Sequence, residues 1–190
     1  MSSTDILSLF KESQALLTGH FLLTSGRHSD VYYEKFTLLK NPAICTQVCK
    51  SLADHFRSSG VQTVVGPTTG GIIIAYDVAR YLGVEAIYAE QGDPGRVFKR
   101  GFSLDPGQKV LIVDDVLTTG RSVEEVISLV NAYKADIVGI GLFLDRSGGK
   151  VSFPFPTHAL ATVSADSWEA SACPLCAKNV PFTQRGSRKL

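Results

Sequence analysis

Apolar residues near the start of the chain fall at Ile6, Leu9, Phe10, Leu16 and Leu17, a spacing that predicts a helix over residues 6–17, ended by Gly19. Two short β-rich runs, 21–24 and 31–36, flank a polar turn over 25–30 and predict a hairpin. Asn41-Pro42 then opens a second helix, with Pro in the first turn. Its apolar positions Ile44, Val48, Leu52 and Phe56 recur every four residues until Ser58, Ser59 and Gly60 stop it. From there the period alternates. Strands are predicted over 61–65, 86–89, 109–113 and 137–144, with helices over 72–82 and 122–133. The strands are almost continuously apolar, the mark of a parallel sheet covered by helices on both faces. In open α/β sheets ligands bind at the carboxyl ends of strands. The loops 67–71 and 114–120 and the segment after Leu144 leave such ends. After Gly149 the rhythm is lost, and the tail reads as Pro-rich and irregular.

The 190 residues correspond to about one domain. The expected layout is a single α/β domain over 1–190. Its core spans about 41–150, and a small N-terminal hood is formed by about 1–40 with part of the tail. An apolar content of 44% is ample for a core and excludes a disordered chain. Nineteen Lys and Arg stand against 18 Asp and Glu, so no global charge draws the chain to nucleic acid or to a membrane surface. The longest apolar runs, 71–76 and 137–144, fall far short of the ~18–20 residues that span a bilayer. The first residues have no basic segment followed by an apolar one, and a cytoplasmic protein is expected.

The most informative stretch is Val110 to Ser122. An apolar strand delivers Asp114 and Asp115 to its carboxyl end, and a hydroxyl-rich turn of Val116, Leu117, Thr118, Thr119 and Gly120 follows. A helix then begins near Arg121 and Ser122. Unpaired N–H groups and the dipole at a helix start favour an anion, and the hydroxyls add donors. The acids cannot hold phosphate, but they accept bonds from vicinal hydroxyls or hold a hydrated divalent cation. A sugar phosphate satisfies both halves. A plain strand-to-helix turn with Asp as cap is the simpler reading, and the combination is rarer than either part. No Walker motif occurs, and Gly139-Ile140-Gly141 lacks the third glycine of a dinucleotide fingerprint.

This stretch resembles the phosphoribosyl pyrophosphate (PRPP) signature of the type I phosphoribosyltransferases. The resemblance implies that fold: a central parallel sheet flanked by helices, with a small N-terminal hood. It also implies that Asp114 and Asp115 meet the ribose hydroxyls while residues 118–122 wrap the 5′-phosphate. Three further segments narrow the likeness. Residues 19–29 with Tyr32 and Tyr33 resemble the N-terminal segment of orotate phosphoribosyltransferases, residues 66–72 their pyrophosphate loop, and residues 144–146 the segment whose Arg pairs with the orotate carboxylate.

By that resemblance Arg146 grips orotate, with Ser25, Gly26, Arg27, Thr118, Tyr32 and Tyr33 around the base. Thr69 and Gly70 border the pyrophosphate. Arg96, Lys99 and Arg100 lie in a Gly/Pro-bounded loop, expected to act as a cationic lid. In the family this loop reaches the neighbouring subunit's site, so a homodimer with shared active sites is implied. Mg²⁺ is implied as cofactor, held mainly by substrate with Asp114 and Asp115 nearby and no direct protein metal site. Asp114, Asp115, Lys99 and Arg100 are the candidate catalytic residues, and orotate and PRPP the implied substrates. Thr24 and Gly70 stand where members with the longer motif carry Lys, and the run from Arg96 to Phe102 resembles a shorter-lid branch. Transfer to another base such as a purine, and a regulator that binds without turnover, are the alternatives. Arg146 argues against the first, since neutral purines have no carboxylate; the acids and the cationic loop argue against the second.

Four cysteines do not make a disulfide scaffold. Cys45 and Cys49 read as buried thiols on a helix. Cys173 and Cys176 form a lone C-x-x-C, read first as packing thiols, ahead of structural zinc or redox chemistry. Zinc needs four ligands, and Cys45, Cys49 or His158 would have to complete them. His20 and His28 read as polar turn residues.

Overall fold

The computed structural model describes residues 3–23, 26–163 and 167–183. Helix α1 (Ser3–Glu12) is shorter than its spacing predicts, because the backbone turns at Gln14 with φ +55°. Leu16 and Leu17 belong instead to strand β1 (Leu16–Leu22), which pairs antiparallel with β2 (His28–Tyr33). The run predicted as strand to residue 36 ends at Tyr33. A one-turn helix, α2 (Lys35–Leu39), follows and buries Leu38 and Leu39.

Helix α3 (Pro42–Phe56) starts where Asn41 accepts the Ile44 N–H in its side chain, and of its apolar stripe Val48, Leu52 and Phe56 are buried and Ile44 partly so. Strand β3 (Thr63–Pro67), helix α4 (Gly70–Leu82) and strand β4 (Glu85–Gln91) come next. The lid segment opens with the two-residue strand β5 (Arg96–Val97), antiparallel to β4. Strand β6 (Lys109–Leu117), helix α5 (Arg121–Ala132) and strand β7 (Asp136–Asp145) complete the alternating part.

Two differences from the sequence reading matter. Strand β6 does not end before the acids: it stays paired with β7 through Val116–Leu144 and Leu117–Asp145, so Asp114 and Asp115 are strand residues. And the tail is not irregular throughout. Strand β8 (Thr157–Thr162) joins the main sheet parallel to β7, extending it past residue 150, and β9 (Ser167–Trp168) pairs with β2 in the hood. No helix lies between β7 and β8, which removed the periodic cue. The main sheet runs β5-β4-β3-β6-β7-β8, and the hood sheet β1-β2-β9.

Period-2 alternation of the central strand assigns the two core layers. Leu111 and Val113 face α1, α3 and α4, packed with Phe10, Leu52, Phe56 and Val78. Val110 and Ile112 face α5, with Val123, Val126, Val130 and Ile140. Gly139 and Gly141 keep β7 flat beneath α3; a Cβ on Gly139 would lie 2.4 Å from the Phe56 ring.

Cys45 and Cys49 are the buried helix thiols expected, whereas His20 and His28 differ from expectation. Cys45 and Cys49 are buried in α3 with their sulfurs 3.9 Å apart, and the His158 ring stacks on His55 at 3.6 Å. Neither group completes the tail motif. His20 and His28 are strand residues exposed by only 1% and 5%, not polar turn residues. No helix among the described residues is long and apolar enough to cross a membrane.

Gly139→Ala is expected to cost about 1–3 kcal/mol by overpacking against Phe56. Urea unfolding checks this, and an unchanged midpoint would refute the tight contact.

Candidate active site

The carboxyl ends of β3, β4, β6 and β7 lie side by side in the sheet. A cavity of about 310 Å³ opens there, lined by Gln91, Arg96, Asp114, the whole of residues 116–123 and Glu125. Its floor is the β6–α5 turn. Gly120, at φ +83°, lets the chain reverse into α5, and a Cβ on it would lie 2.7 Å from Val151. No side chain caps α5. Its first-turn N–H groups therefore remain available to an anion at the cavity, beside the hydroxyls of Thr118, Thr119 and Ser122.

The two acids do not act as one pair. Being adjacent in a strand, they point to opposite faces. Asp114 lines the cavity. Its Oδ1 accepts the Asp115 N–H at 2.9 Å. Burial, with the charge of Asp115 next, pushes its carboxyl up to about 7. Asp115 faces Lys35, whose Nζ donates to Oδ1 at 3.2 Å and lies 3.0 Å from Oδ2. Oδ2 has that ion pair but no aligned donor. A Cβ on Gly70 would come within 2.3 Å of the same oxygen, so glycine at the start of α4 makes room for this carboxylate.

Arg96 is the structural centre of the cationic loop. Its guanidinium donates to the Thr68 hydroxyl (2.9 Å), to the carbonyls of Ala89 (3.2 Å) and Thr68 (3.3 Å), and to the Ser122 hydroxyl (3.3 Å). It also donates to Glu125, which Arg121 pairs from the other side. Three loop ends are thereby tied together at the cavity wall. Thr69, whose peptide bond to Thr68 is cis, and Gly70 follow directly in this loop. Lys99 and Arg100 are not at the cavity: both are exposed and pair with Glu90 at the end of β4.

Arg146 follows β7, its N–H bonded to the Leu117 carbonyl at 2.8 Å. Its guanidinium lies 4.9 Å from the centre of the Tyr33 ring, and its Nε is buried without an acceptor. Burial lowers its affinity for the proton and raises the Tyr33 phenol to about 12, with the Arg146 charge opposing the latter. Tyr32, on the other face of β2, packs against Phe21 at 5.5 Å instead. Arg27 is engaged elsewhere: it holds the tail through Ser167 and Glu169. Gly26 turns the hairpin at φ +81°, and Ser25, like Thr24, lies outside the described residues.

A profile for the phosphoribosyl transferase domain matches residues 36–152. An orotate phosphoribosyltransferase of Desulforamulus reducens is 43% identical over 190 residues, covering 100% of both chains. One from Chlorobaculum parvum is 43% identical over 188 residues, 99% of this chain and 97% of the relative. The chain belongs to the orotate phosphoribosyltransferase family. The crystal structure of orotate phosphoribosyltransferase from Aeropyrum pernix superposes with a TM-score of 0.66 at 25% identity, over 83% of this chain and 93% of that one. The UMP synthase of Leishmania donovani shares the fold, with a TM-score of 0.72 at 23% identity, over 86% of this chain and 37% of that one. Membership accounts for the fold inferred from the Asp114–Ser122 turn, which the structure bears out.

Three residues at the site escaped the sequence reading. Lys35 gave no signal because it sits in a short helix that periodicity did not predict. Gln91 and Glu125 were readable only as a strand-end and a helix-start residue. Pairing across β4, β5 and α5 is what turns them toward one cavity.

The raised carboxyl of Asp114 has a sign. A carboxyl whose folded pKa lies above its unfolded 3.8 costs stability progressively as pH rises from about 4 to about 7, and fully above that. Asp114→Asn should therefore raise the melting temperature of the ligand-free protein more at pH 8 than at pH 5. Equal gains at both pH values in thermal unfolding would refute the assignment.

Proposed function

We propose that this chain transfers the phosphoribosyl group of PRPP reversibly to orotate, giving orotidine 5′-monophosphate and pyrophosphate in pyrimidine nucleotide synthesis. We further propose that it does so with Mg²⁺, as a cytoplasmic homodimer. The observation that carries the choice of orotate is Arg146. A half-buried guanidinium whose buried Nε is unpaired, backed by an aromatic ring, is costly unless a ligand supplies an anion, and a planar carboxylate fits its fork.

In this reading the β6–α5 turn holds the 5′-phosphate by its N–H groups and the hydroxyls of Thr118, Thr119 and Ser122. Asp114 accepts the ribose hydroxyls as a carboxylate, the form that burial disfavours and that binding selects. Asp115, neutralised by Lys35, keeps that strand end in place. The loop of Thr68, Thr69 and Gly70, stiffened by Arg96, borders the departing pyrophosphate. Ser25, Gly26 and Thr118 border the base; the bonds of Arg27 to the tail and the packing of Tyr32 on Phe21 favour supporting roles for these two.

A single carboxylate lining a cavity rich in hydroxyls suits Mg²⁺, which keeps most of its shell from water and substrate phosphates. Asp114 is the residue that would approach it. When bound, the cation supplies charge stabilisation to the pyrophosphate leaving group. The sugar carbon then carries oxocarbenium character, and Asp114 beside its hydroxyls favours that positive charge.

Lys99 and Arg100 leave their own cavity uncovered, which supports their acting on the neighbouring subunit. An apolar groove of about 360 Å³ between α3 and α4, lined by Ile73 and Tyr76 among others, supports a dimer. Tyr76 is 69% exposed and Phe36 50%.

The direct test mixes protein, Mg²⁺ and PRPP with orotate, and separately with adenine, hypoxanthine and uracil. Loss of orotate absorbance is expected; turnover of a purine alone would overturn the reading. Arg146→Ala should raise KM for orotate about 10- to 100-fold, the worth of a charged hydrogen-bonded pair, with far less effect on KM for PRPP. Equal effects on both would remove Arg146 from the base site. For shared sites, inactive Asp114→Ala and inactive Lys99→Ala/Arg100→Ala proteins are unfolded and refolded together. Hybrid dimers with one intact site should restore about a quarter of wild-type activity. No recovery, with hybrids demonstrated by mass, would place both cations in their own subunit's site.

A further inference from the structure

The tail motif has partners that its sequence neighbourhood does not reveal. Helix α6 (Pro174–Ala177) with the residue before it brings Cys173 and Cys176 against the hood hairpin, beside His20 of β1 and His28 of β2. One ligating atom from each of the four lies within 4.8 Å of all the others. His20 Nε2 is 3.1 Å from His28 Nδ1, 3.5 Å from Cys173 Sγ and 3.7 Å from Cys176 Sγ, and Cys176 Sγ is 3.2 Å from His28 Nδ1. Around a tetrahedral Zn²⁺, with nitrogens at about 2.0–2.1 Å and sulfurs at about 2.3 Å, ligand atoms lie about 3.3–3.8 Å apart. Four of the six edges, at 3.1, 3.2, 3.5 and 3.7 Å, lie close to that tetrahedron, and the other two do not exceed 4.8 Å.

The surroundings fit a metal as well as the spacing does. Three of the four residues are buried, and Cys176 is partly so. Both thiols are free. His20 Nδ1 is 2.8 Å from the Val180 carbonyl, which can only accept. The ring proton therefore sits on Nδ1, and the Nε2 lone pair faces the cluster, as a metal ligand requires. The Phe182 ring covers His20 at 4.1 Å and His28 at 4.9 Å, closing the group from water. Without an ion, two imidazoles and two thiols must share a buried space with few protons to bond one another.

We propose that His20, His28, Cys173 and Cys176 bind one Zn²⁺ as a structural site that staples the tail to the hood. Two nitrogens and two sulfurs in a closed tetrahedron favour Zn²⁺ among common metals. Four protein ligands leave no open position, so the ion has no catalytic role. Its place is mechanical. The hood is a three-stranded sheet whose third strand, β9, has two residues, and β2 next to it carries Tyr33 toward Arg146. A crosslink at His28 fixes the start of β2, where Arg27 also holds β9.

The test begins with the unaltered protein, expressed with zinc in the medium and dialysed against buffer without chelator. Elemental analysis should find about one zinc per chain. Exchange for Co²⁺ should produce the visible d–d bands of tetrahedral cobalt with a near-ultraviolet thiolate charge-transfer band. Cys176→Ser and His28→Ala should each lose the zinc or hold it far more weakly, while Cys45→Ser keeps it at full stoichiometry. Chelation should lower the melting temperature and expose two thiols to a thiol reagent. A protein that holds no zinc and gives no cobalt spectrum overturns the proposal. So does a Cys173–Cys176 disulfide in freshly purified protein, or zinc content unchanged in both variants. None of these readouts depends on orotate transfer.

Discussion

Two carboxylates stand side by side at the end of a strand buried on both faces, and the rest of the site answers that constraint. Strand geometry sends Asp114 and Asp115 in opposite directions, so neither can relieve the other and each needs its own compensation. Asp115 finds it in Lys35, with glycine at the start of α4 clearing the space. Asp114 has the Asp115 N–H and the Ser122 hydroxyl, which do not offset its burial, and its carboxyl stays raised to about 7. In the proposed function, the unresolved demand of that one carboxyl is what a hydroxyl-bearing, cation-accompanied ligand would meet. Recognition at the sugar would then grow out of an electrostatic cost that the fold carries by itself.

The same logic runs through the cations. Arg96 is saturated: its donors knit the ends of β3 and β4 to α5, so it shapes the cavity more than it reaches for ligand. Arg146 is the reverse, half-buried with its buried Nε unspent. Lys99 and Arg100 are tied loosely to Glu90 on the surface, where screening makes such pairs weak and easily exchanged. Three grades of engagement thus occur among residues of one charge, and the proposed function gives them the roles of scaffold, receptor and mobile contact.

The tail shows how a small accessory sheet is kept in place. The third strand of the hood has only two residues, too few to hold by backbone bonds alone. Arg27 on Ser167 and Glu169 adds one tie at the surface. The cluster of His20, His28, Cys173 and Cys176 adds a buried one. Each sits next to the strand that presents Tyr33 to Arg146, the pair assigned to the base in the proposed function.

What the sequence determined by itself was local or strongly periodic. The apolar strands with intervening amphipathic helices required a sheet buried on both faces, and the run from Val110 to Ser122 carried its chemistry within thirteen consecutive residues. Tertiary structure decided whatever depends on residues far apart in the chain. The direction of each acid followed from β6 staying paired with β7 beyond Asp115. Strand β8, reached without a helix, left no period to read. The partners of Cys173 and Cys176 lie about 150 residues upstream, in strands whose histidines look solvent-facing until the tail covers them. Spacing along a chain reports which groups share a turn or a face; it does not report which distant surfaces the core's burial will press together.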